Sequence, residues 1–596
     1  MKFKSLFLTT AAAMAFAACS SDEPSNGGNN GTTPDEGSTM YLTVNITDAN
    51  ATGRADEGDL VPGTADEHAV NTAHFFFFDK DKMFVTEANV WNGGTSGDFE
   101  NHNVEFQSNN VLVLKNLTQK NLPKYLITVL NAPADLLSYI RETPRKMDDV
   151  RKYCDNLTYK NGESFVMSTS SFTGGATEFP GLYEDACYYA NVIKESFLKT
   201  EPVNASTVPA TDVVKIYVER LAAKYTISLP EGNPFKVDVT IAGNENNNNV
   251  EGGLPGTVGS TPVWVKIENF GVTGTEPTSY LSKNLDNVTN PFENWNIAQL
   301  HRSYWGKSVN YDNKDFKLNY ATFSTVTGDI DGAVYSNETT ADYTVIRNES
   351  NVLTPSRVTN VVFKATIYAD EACSTPLDLV LFSGVYYKKD QFIPYILNRL
   401  NATDQLNYYI KTGTASEENE DGTLNTANYT QVSKDNVDYA KDTAHGTGIF
   451  KLVSKLGADT QLYQLVTENG KLVAKTVATS AFETALNSYF TNEWPSAYTG
   501  GASVYYVPVE HFEGKDAGFN GNYDYTVTKD GQYGVVRNHW YQIEVSKVFR
   551  LGQGVFDPSN GSTEELIPSD PSKETFGMAA NINILSWKVV KQSVDL

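Results

Sequence analysis

Apolar side chains at every second position are the feature of this chain that leaves the fewest folds open. In "STMYLTVNIT" Met40, Leu42, Val44 and Ile46 stand on one side, with Tyr41, Thr43 and Asn45 between them. That period suits a half-buried strand, because successive side chains of an extended backbone point to opposite faces. "NVVFKATIYAD" repeats it through Val361, Phe363, Ala365 and Ile367, and "RNHWYQIEV" through Tyr541, Ile543 and Val545. "HFFFFD" (74–79) and "YLITVL" (125–130) are apolar on both sides and predict strands covered on both faces. Helix is a minor ingredient: "ADLLSYIRE", "RKMDDVRKYC" and "FIPYILNRL" have apolar residues at three and four spacing. The expected class is all-β with minor helix.

Residues 1–18, "MKFKSLFLTTAAAMAFAA", read as an export signal, with Lys2 and Lys4 ahead of an apolar run too short to span a bilayer as a mature helix. The run ends in "FAAC", which resembles a bacterial lipoprotein processing site and makes Cys19 the expected lipidated residue; an ordinary export signal with an incidental cysteine is the other reading. Stable anchoring needs two or more acyl chains, and a lipoprotein cysteine supplies them. Next comes "SSDEPSNGGNNGTTPDEGST", without a large apolar residue and so predicted to be a flexible tether. Its acids Asp22 and Glu23 resemble the signal that sends lipoproteins of Bacteroidetes-type bacteria to the outer face of the outer membrane. Further on, Arg54 is isolated: no Lys or Arg lies between Lys4 and it, or between it and Lys80. It is either a unique address for an arginine-directed protease, with Ala55 as the new first residue, or a solvated loop charge beside Asp56 and Glu57.

At 596 residues the chain is long enough for two or more domains. Its 47 basic and 72 acidic residues leave a formal charge of −25, which argues against nucleic acid and anionic lipid surfaces as partners. Beyond Cys19 only Cys154, Cys187 and Cys373 remain, so no disulfide framework is implied. The seven histidines form no HExxH, and no nucleotide-binding glycine loop or nucleophile elbow occurs. No catalytic residue, metal or cofactor is assigned, and the chain is expected not to be an enzyme. "TGDIDG" (327–332) lacks the later ligands of a calcium loop and reads as a turn. Tyr304, Trp305, Tyr505, Tyr506 and Trp540 are expected in cores, although exposed they would make a sugar-stacking platform.

A boundary is written in "VVKIYVERLAAKYTISLP" (213–230). Its apolar set runs on even positions through Val214, Ile216 and Val218, then on odd ones through Leu221, Tyr225, Ile227 and Leu229. A one-residue slip turns every side chain to the other face. The strand is therefore expected to change cores near Glu219 and Arg220, at a crossing between two β-sandwich domains or at a bulge within one. The expected division is 1–18 signal, 19–54 lipidated tether and removable strand, 55–219 N-terminal domain and 220–596 C-terminal domain, with 414–431 an exposed insertion. At the other end, "AANINILSWKVVKQSVDL" supplies apolar residues to both faces up to Leu596, where an unpaired strand is odd. Cutting at Arg54 would remove Met40, Leu42, Val44 and Ile46, and a neighbour's Val590, Val594 and Leu596 could fill the vacated strip by strand addition. Head-to-tail joining of this kind does not close on itself and yields filaments.

Taken together, the lipobox, Arg54 before "ADEG", "TADEHAVNTAHFFFFD", "VERLAAK" (218–224), "HRSYWG" (301–306), "YGVVRNHWYQIEV" (533–545) and "NINILSWKVV" (581–590) resemble the Bacteroidales fimbrillins, most of all the shaft subunit of short, Mfa-type fimbriae. The resemblance spans nearly the whole chain. It implies two transthyretin-like Greek-key β-sandwich domains, export as a lipoprotein on Cys19, cleavage between Arg54 and Ala55 by an arginine-specific protease, and homopolymerisation with the segment Val590 to Leu596 as donor. It further implies anchor and tip subunits and host or bacterial surface receptors as partners, attachment to the outer membrane through lipid before the cut, and a role in adhesion and biofilm growth. The alternative reading is a surface glycan-binding lipoprotein of a nutrient-uptake system.

Overall fold

The computed structural model describes residues 38–46, 60–61, 63–64, 66–91, 104–107, 111–118, 120–141, 145–157, 164–171, 188–204, 207–242, 259–288, 296–297, 302–347, 354–491, 493–511, 531–568 and 578–587. The signal and tether, Cys19, Arg54, Ala55, Val590, Val594 and Leu596 lie outside the described residues. What is described is mostly strand with short helices between, the all-β class with minor helix that the alternation predicts.

Two facing sheets enclose the first core. One runs Leu198–Lys199, Ser38–Ile46, Val111–Leu117, Val104–Gln107, with Val214–Ile216 also against Ser38–Ile46. The other runs Val218–Arg220, Met167–Thr169, Tyr125–Leu130, Thr72–Phe78, Phe84–Trp91. Leu42, Val44, Leu112 and Leu114 of the first pack against Phe75, Phe77, Leu126 and Leu130 of the second. The two-sided apolar runs have the expected double cover. Phe76, Phe78, Ile127 and Val129 turn to the opposite face, where Leu136 and Ile140 of the helix Ala134–Arg141 and Met147 and Val150 of the helix Met147–Arg151 close over them. That second helix is shorter than its sequence pattern, because Cys154–Asp155 is drawn into antiparallel pairing with Ser279–Tyr280.

The second core lies between a sheet ordered Leu60–Val61, Met578–Trp587, His539–Val548, Ala222–Ser228, Val334–Asn337 and an eight-stranded sheet centred on Gly259–Thr273 and Asn360–Tyr368. Tyr225, Tyr541, Ile543 and Val545 meet Val263, Val265, Ile267, Phe363 and Tyr505 there. A further cluster gathers Phe392, Ile396 and Leu400 of the helix Lys389–Ala402 with Phe482 and Leu486 of the helix Thr479–Leu486. Residues 414–431 are largely exposed but ordered around buried Asn428, whose amide holds the carbonyls of Ala415 and Ser416. "TGDIDG" is a turn, with the Gly332 amide donating to the Asp329 carbonyl at 2.9 Å.

The segment whose parity changes carries the chain from one core to the other. Val214, Ile216 and Val218 belong to the first core and Val218–Arg220 pairs with Met167–Thr169. Ala223 and Tyr225 belong to the second, and Ala222–Ser228 pairs with Val334–Asn337 and His539–Val548.

Candidate functional site

The site is a strand and its seat. Ser38–Ile46 lies inside its sheet, with strands hydrogen-bonded on both of its edges. On one edge it runs antiparallel to Val111–Leu117, with Met40 opposite Leu114, Leu42 opposite Leu112 and Thr43 opposite Val111. On the other edge it is antiparallel to Leu198–Lys199 through Tyr41 and Leu42, then parallel to Val214–Ile216 through Val44, Asn45 and Ile46. Leu42, Thr43 and Val44 are buried, and Met40 is partly buried against the same core. Burial of Leu42 and Val44 stabilises the seat by roughly 3–6 kcal/mol together, and each ladder hydrogen bond adds about 0.5–1.5 kcal/mol net. Removal would leave unpaired edges at Val111–Leu117 and at Leu198–Lys199 with Val214–Ile216, and would take Leu42 and Val44 out of the core they share with Phe75 and Phe77, leaving an apolar strip one strand wide.

At the far end of the chain Met578–Trp587 runs antiparallel along His539–Val548, from Val548 opposite Met578 to His539 opposite Ser586, with one irregularity between Val545 and Lys547. Its other edge carries the two-residue strand Leu60–Val61, in parallel register with Ser586 and Trp587. The chain up to Trp587 is thus seated on its own protomer.

Sequence reasoning missed a buried charged seam where the two cores adjoin, built from the motifs that carry the family resemblance. Glu219 and Lys283 form an ion pair at 2.9 Å with both side chains almost wholly inaccessible, and the Lys283 ammonium also donates to the Ser303 carbonyl at 2.7 Å. Arg537 pairs with Glu338 at 3.1 Å and donates to the carbonyls of Leu281 and Tyr280. Arg220 Nε donates to the Glu67 carbonyl at 2.8 Å, and Arg302 donates to the carbonyl of Asn538. Burial lowers the pKa of Lys283, Arg220 and Arg302 from their ordinary values, offset in part by neighbouring acids. Glu67 has the opposite balance. Burial works to raise it, but hydrogen bonds from Lys224 and Tyr335 outweigh that and hold its carboxyl below the usual glutamate range. The signal was present in the sequence: three charges, Glu219, Arg220 and Lys224, interrupt an otherwise apolar strand, and burying them is tolerable only if each is paired.

The aromatic residues considered for sugar stacking do not form one exposed platform, since Trp305, Tyr505 and Tyr506 are buried. Among the described residues no group of three or more His, Cys, Asp or Glu is placed to hold a metal ion, and no helix is long and apolar enough to cross a membrane.

Residues 496–593 match the family described as "Major fimbrial subunit protein type IV, Fimbrillin, C-terminal". The span includes Ala502–Pro508 of the large sheet and the whole of His539–Val548 and Met578–Trp587. No curated protein matches the chain. Among solved structures, the tip fimbrial protein Mfa3 from Porphyromonas gingivalis with C-terminal truncation overlaps at a TM-score of 0.32 and 10% identity, covering 92% of this chain and 100% of that one. A fimbrilin (fimA) from Porphyromonas gingivalis W83 overlaps at 0.33 and 13%, covering 93% and 99%. These overlaps are loose; the match over 496–593 likens that part of the chain to the fimbrillins, in agreement with the family resemblance read from the sequence.

Proposed function

We propose that this fimbrillin-like chain is the structural shaft subunit, a pilin, of a cell-surface fimbria. In this reading it is exported as a lipoprotein on Cys19 and held at the outer membrane until an arginine-specific protease cuts between Arg54 and Ala55. The cut frees the strand containing Met40, Leu42, Val44 and Ile46, and a neighbour's terminal segment, with Val590, Val594 and Leu596, adds as a strand in its place. Residues 55–219 and 220–596 act as the two sandwich domains of each link, copies of the same chain are the principal partners, and anchor and tip subunits complete the fibre. Adhesion to host or bacterial surfaces and biofilm growth follow from such a fibre.

The observation that carries the reading is the position of Ser38–Ile46. It fills an internal slot of its sheet, yet it belongs to the segment upstream of the lone Arg54. A strand buried on both edges holds back assembly while present, and its departure opens a slot whose polar edges and apolar floor call for another strand of the same alternation. Dissociation of the replacement would expose the whole strip again, so the joint would be kinetically durable even at modest net stability.

The test uses the full chain carrying Cys19→Ser, so that no lipid is added, mixed with an arginine-specific protease. The expected result is a new N-terminus at Ala55 and filaments by electron microscopy, with neither from the Arg54→Ala form of the same chain. Filaments from the uncut Arg54→Ala protein would overturn the trigger.

A further inference from the structure

Residues just beyond Arg54 reach across to the other end of the chain. Leu60–Val61 pairs with Ser586–Trp587 at the edge of the five-stranded sheet of the second core. Six residues later Glu67, 3% exposed, sits over the face of that same sheet. Its carboxylate pairs with Lys224 Nζ at 2.8 Å, accepts from the Tyr335 hydroxyl at 2.7 Å and takes the Thr64 amide at 2.7 Å, while its carbonyl accepts from Arg220 Nε at 2.8 Å.

The register shows what those partners have in common. Tyr335, Lys224, Trp540 and Leu585 lie opposite one another in a single row across four neighbouring strands. Lys224 Nζ stands 4.0 Å over the Trp540 ring, so that lysine is held between an aromatic face and Glu67. From the edge strand Leu60–Val61 to the strand bearing Lys224 is three strand spacings, about 14 Å. Six residues reach at most about 20 Å, which leaves room for the short helix Asp66–His68 at the far end. The described parts of the segment therefore fit a strap: Leu60–Val61 is paired at the sheet edge beside the root of the last strand, and Glu67 is fastened at the strand bearing Lys224 by a buried, charge-assisted contact.

We propose that Leu60–Val61 and Glu67 act together as a clasp that keeps the root of the terminal strand, Ile584 to Trp587, seated on its own protomer after the cut at Arg54. The inference rests on the pilin reading above and deepens it. The cut releases the part of the N-terminal segment that blocks one joint, and the part left behind secures the strand from which the next joint is made. The donor segment then leaves each protomer from a fixed point, rather than with the whole of Met578–Trp587 free to peel away from His539–Val548.

Hydrogen–deuterium exchange on the full chain carrying Cys19→Ser, uncut and after cutting, tests the clasp without requiring filaments. The expected result is that peptides covering Ile584 to Trp587 keep their protection when Arg54 is cut. Glu67→Ala is expected to exchange there about tenfold faster or more, the scale set by loss of a charge-assisted hydrogen bond, with Gly259–Thr273 unchanged as a control for the fold. Tyr335→Phe, which removes one hydroxyl and keeps the ion pair, is expected to give a smaller acceleration at the same peptides and serves where Glu67→Ala does not fold. Unchanged exchange at Ile584 to Trp587 in the folded variants, or loss of protection there on cutting the parent, overturns the clasp. Failure of the cut protein to polymerise while this protection persists would instead count against the pilin reading.

Discussion

His511 shows how far a single side chain can be set by the seam between the cores. Its ring is buried, with Nε2 2.6 Å from the Tyr304 carbonyl and Nδ1 2.8 Å from the Tyr541 hydroxyl, which also accepts the Val536 amide. A carbonyl only accepts, so Nε2 carries the proton and Nδ1 receives the Tyr541 O–H; the neutral ring satisfies both partners. Burial, with the nearby charges of Lys283 and Arg302, lowers its pKa from the ordinary value to about 3. His539 beside it is pushed well down for the same reasons. The unfolded chain takes up the His511 proton near pH ~6.5 and the folded one only near 3. The contribution of His511 is therefore fully present above the unfolded value and is lost progressively as pH falls from there toward 3. One such group gives a slope of up to about 1.4 kcal/mol per pH unit. Urea unfolding between pH 7.5 and 4.5 should show stability falling with acidity, and His511→Gln should flatten that fall by up to one proton's worth; equal slopes would contradict the assignment. Glu67 and Glu87, both held low in the fold, extend the loss to more acid conditions.

At the scale of strands, much is legible in the sequence. Alternation located Ser38–Ile46, Asn360–Tyr368 and His539–Val548, because a half-buried sheet imposes its period on the side chains. The doubly apolar runs told of cover on two faces, since Phe75 and Phe77 serve one core and Phe76 and Phe78 another. Register and neighbours were not legible, because pairing is made by residues far apart in the chain. Nothing local to Leu60 and Val61 says that they join a strand more than five hundred residues later. That the charges of "VERLAAK" are buried was not legible either, since their partners Lys283 and Glu67 lie on other segments. Of the candidate site, the strand itself was read correctly as a strand, whereas its seat became visible only through pairing. The terminal segment makes its own prediction. On the proposed function, deleting Val590 to Leu596 removes the donor and leaves Met578–Trp587 with its partner, so the variant should be cut, fold and remain monomeric. Polymer ladders on a denaturing gel equal to those of the parent would contradict that role.

For the molecule as a whole, the two cores adjoin through a seam in which buried apolar contacts, such as Leu281 against the cluster over the first core, are joined by desolvated ion pairs. Replacing one member of such a pair leaves the other buried without its counter-charge, a loss of about 3–5 kcal/mol. Geometry-dependent contacts of this kind are costly to rearrange, which suits a link that must pass tension along a fibre, and they draw on Glu67, Glu219, Arg302 and Arg537 from four separate stretches of sequence. In the proposed assembly the clasp holds one strand and the slot gives one up. The central claim is that exchange, and a cryo-electron microscopy map of filaments grown from the cut protein tests it most directly. The account predicts that the place between Val111–Leu117 and the strands Leu198–Lys199 and Val214–Ile216 holds a neighbour's segment ending at Leu596. Density there for the subunit's own Met40 to Ile46, with the neighbour's Leu596 out in solvent, would contradict it.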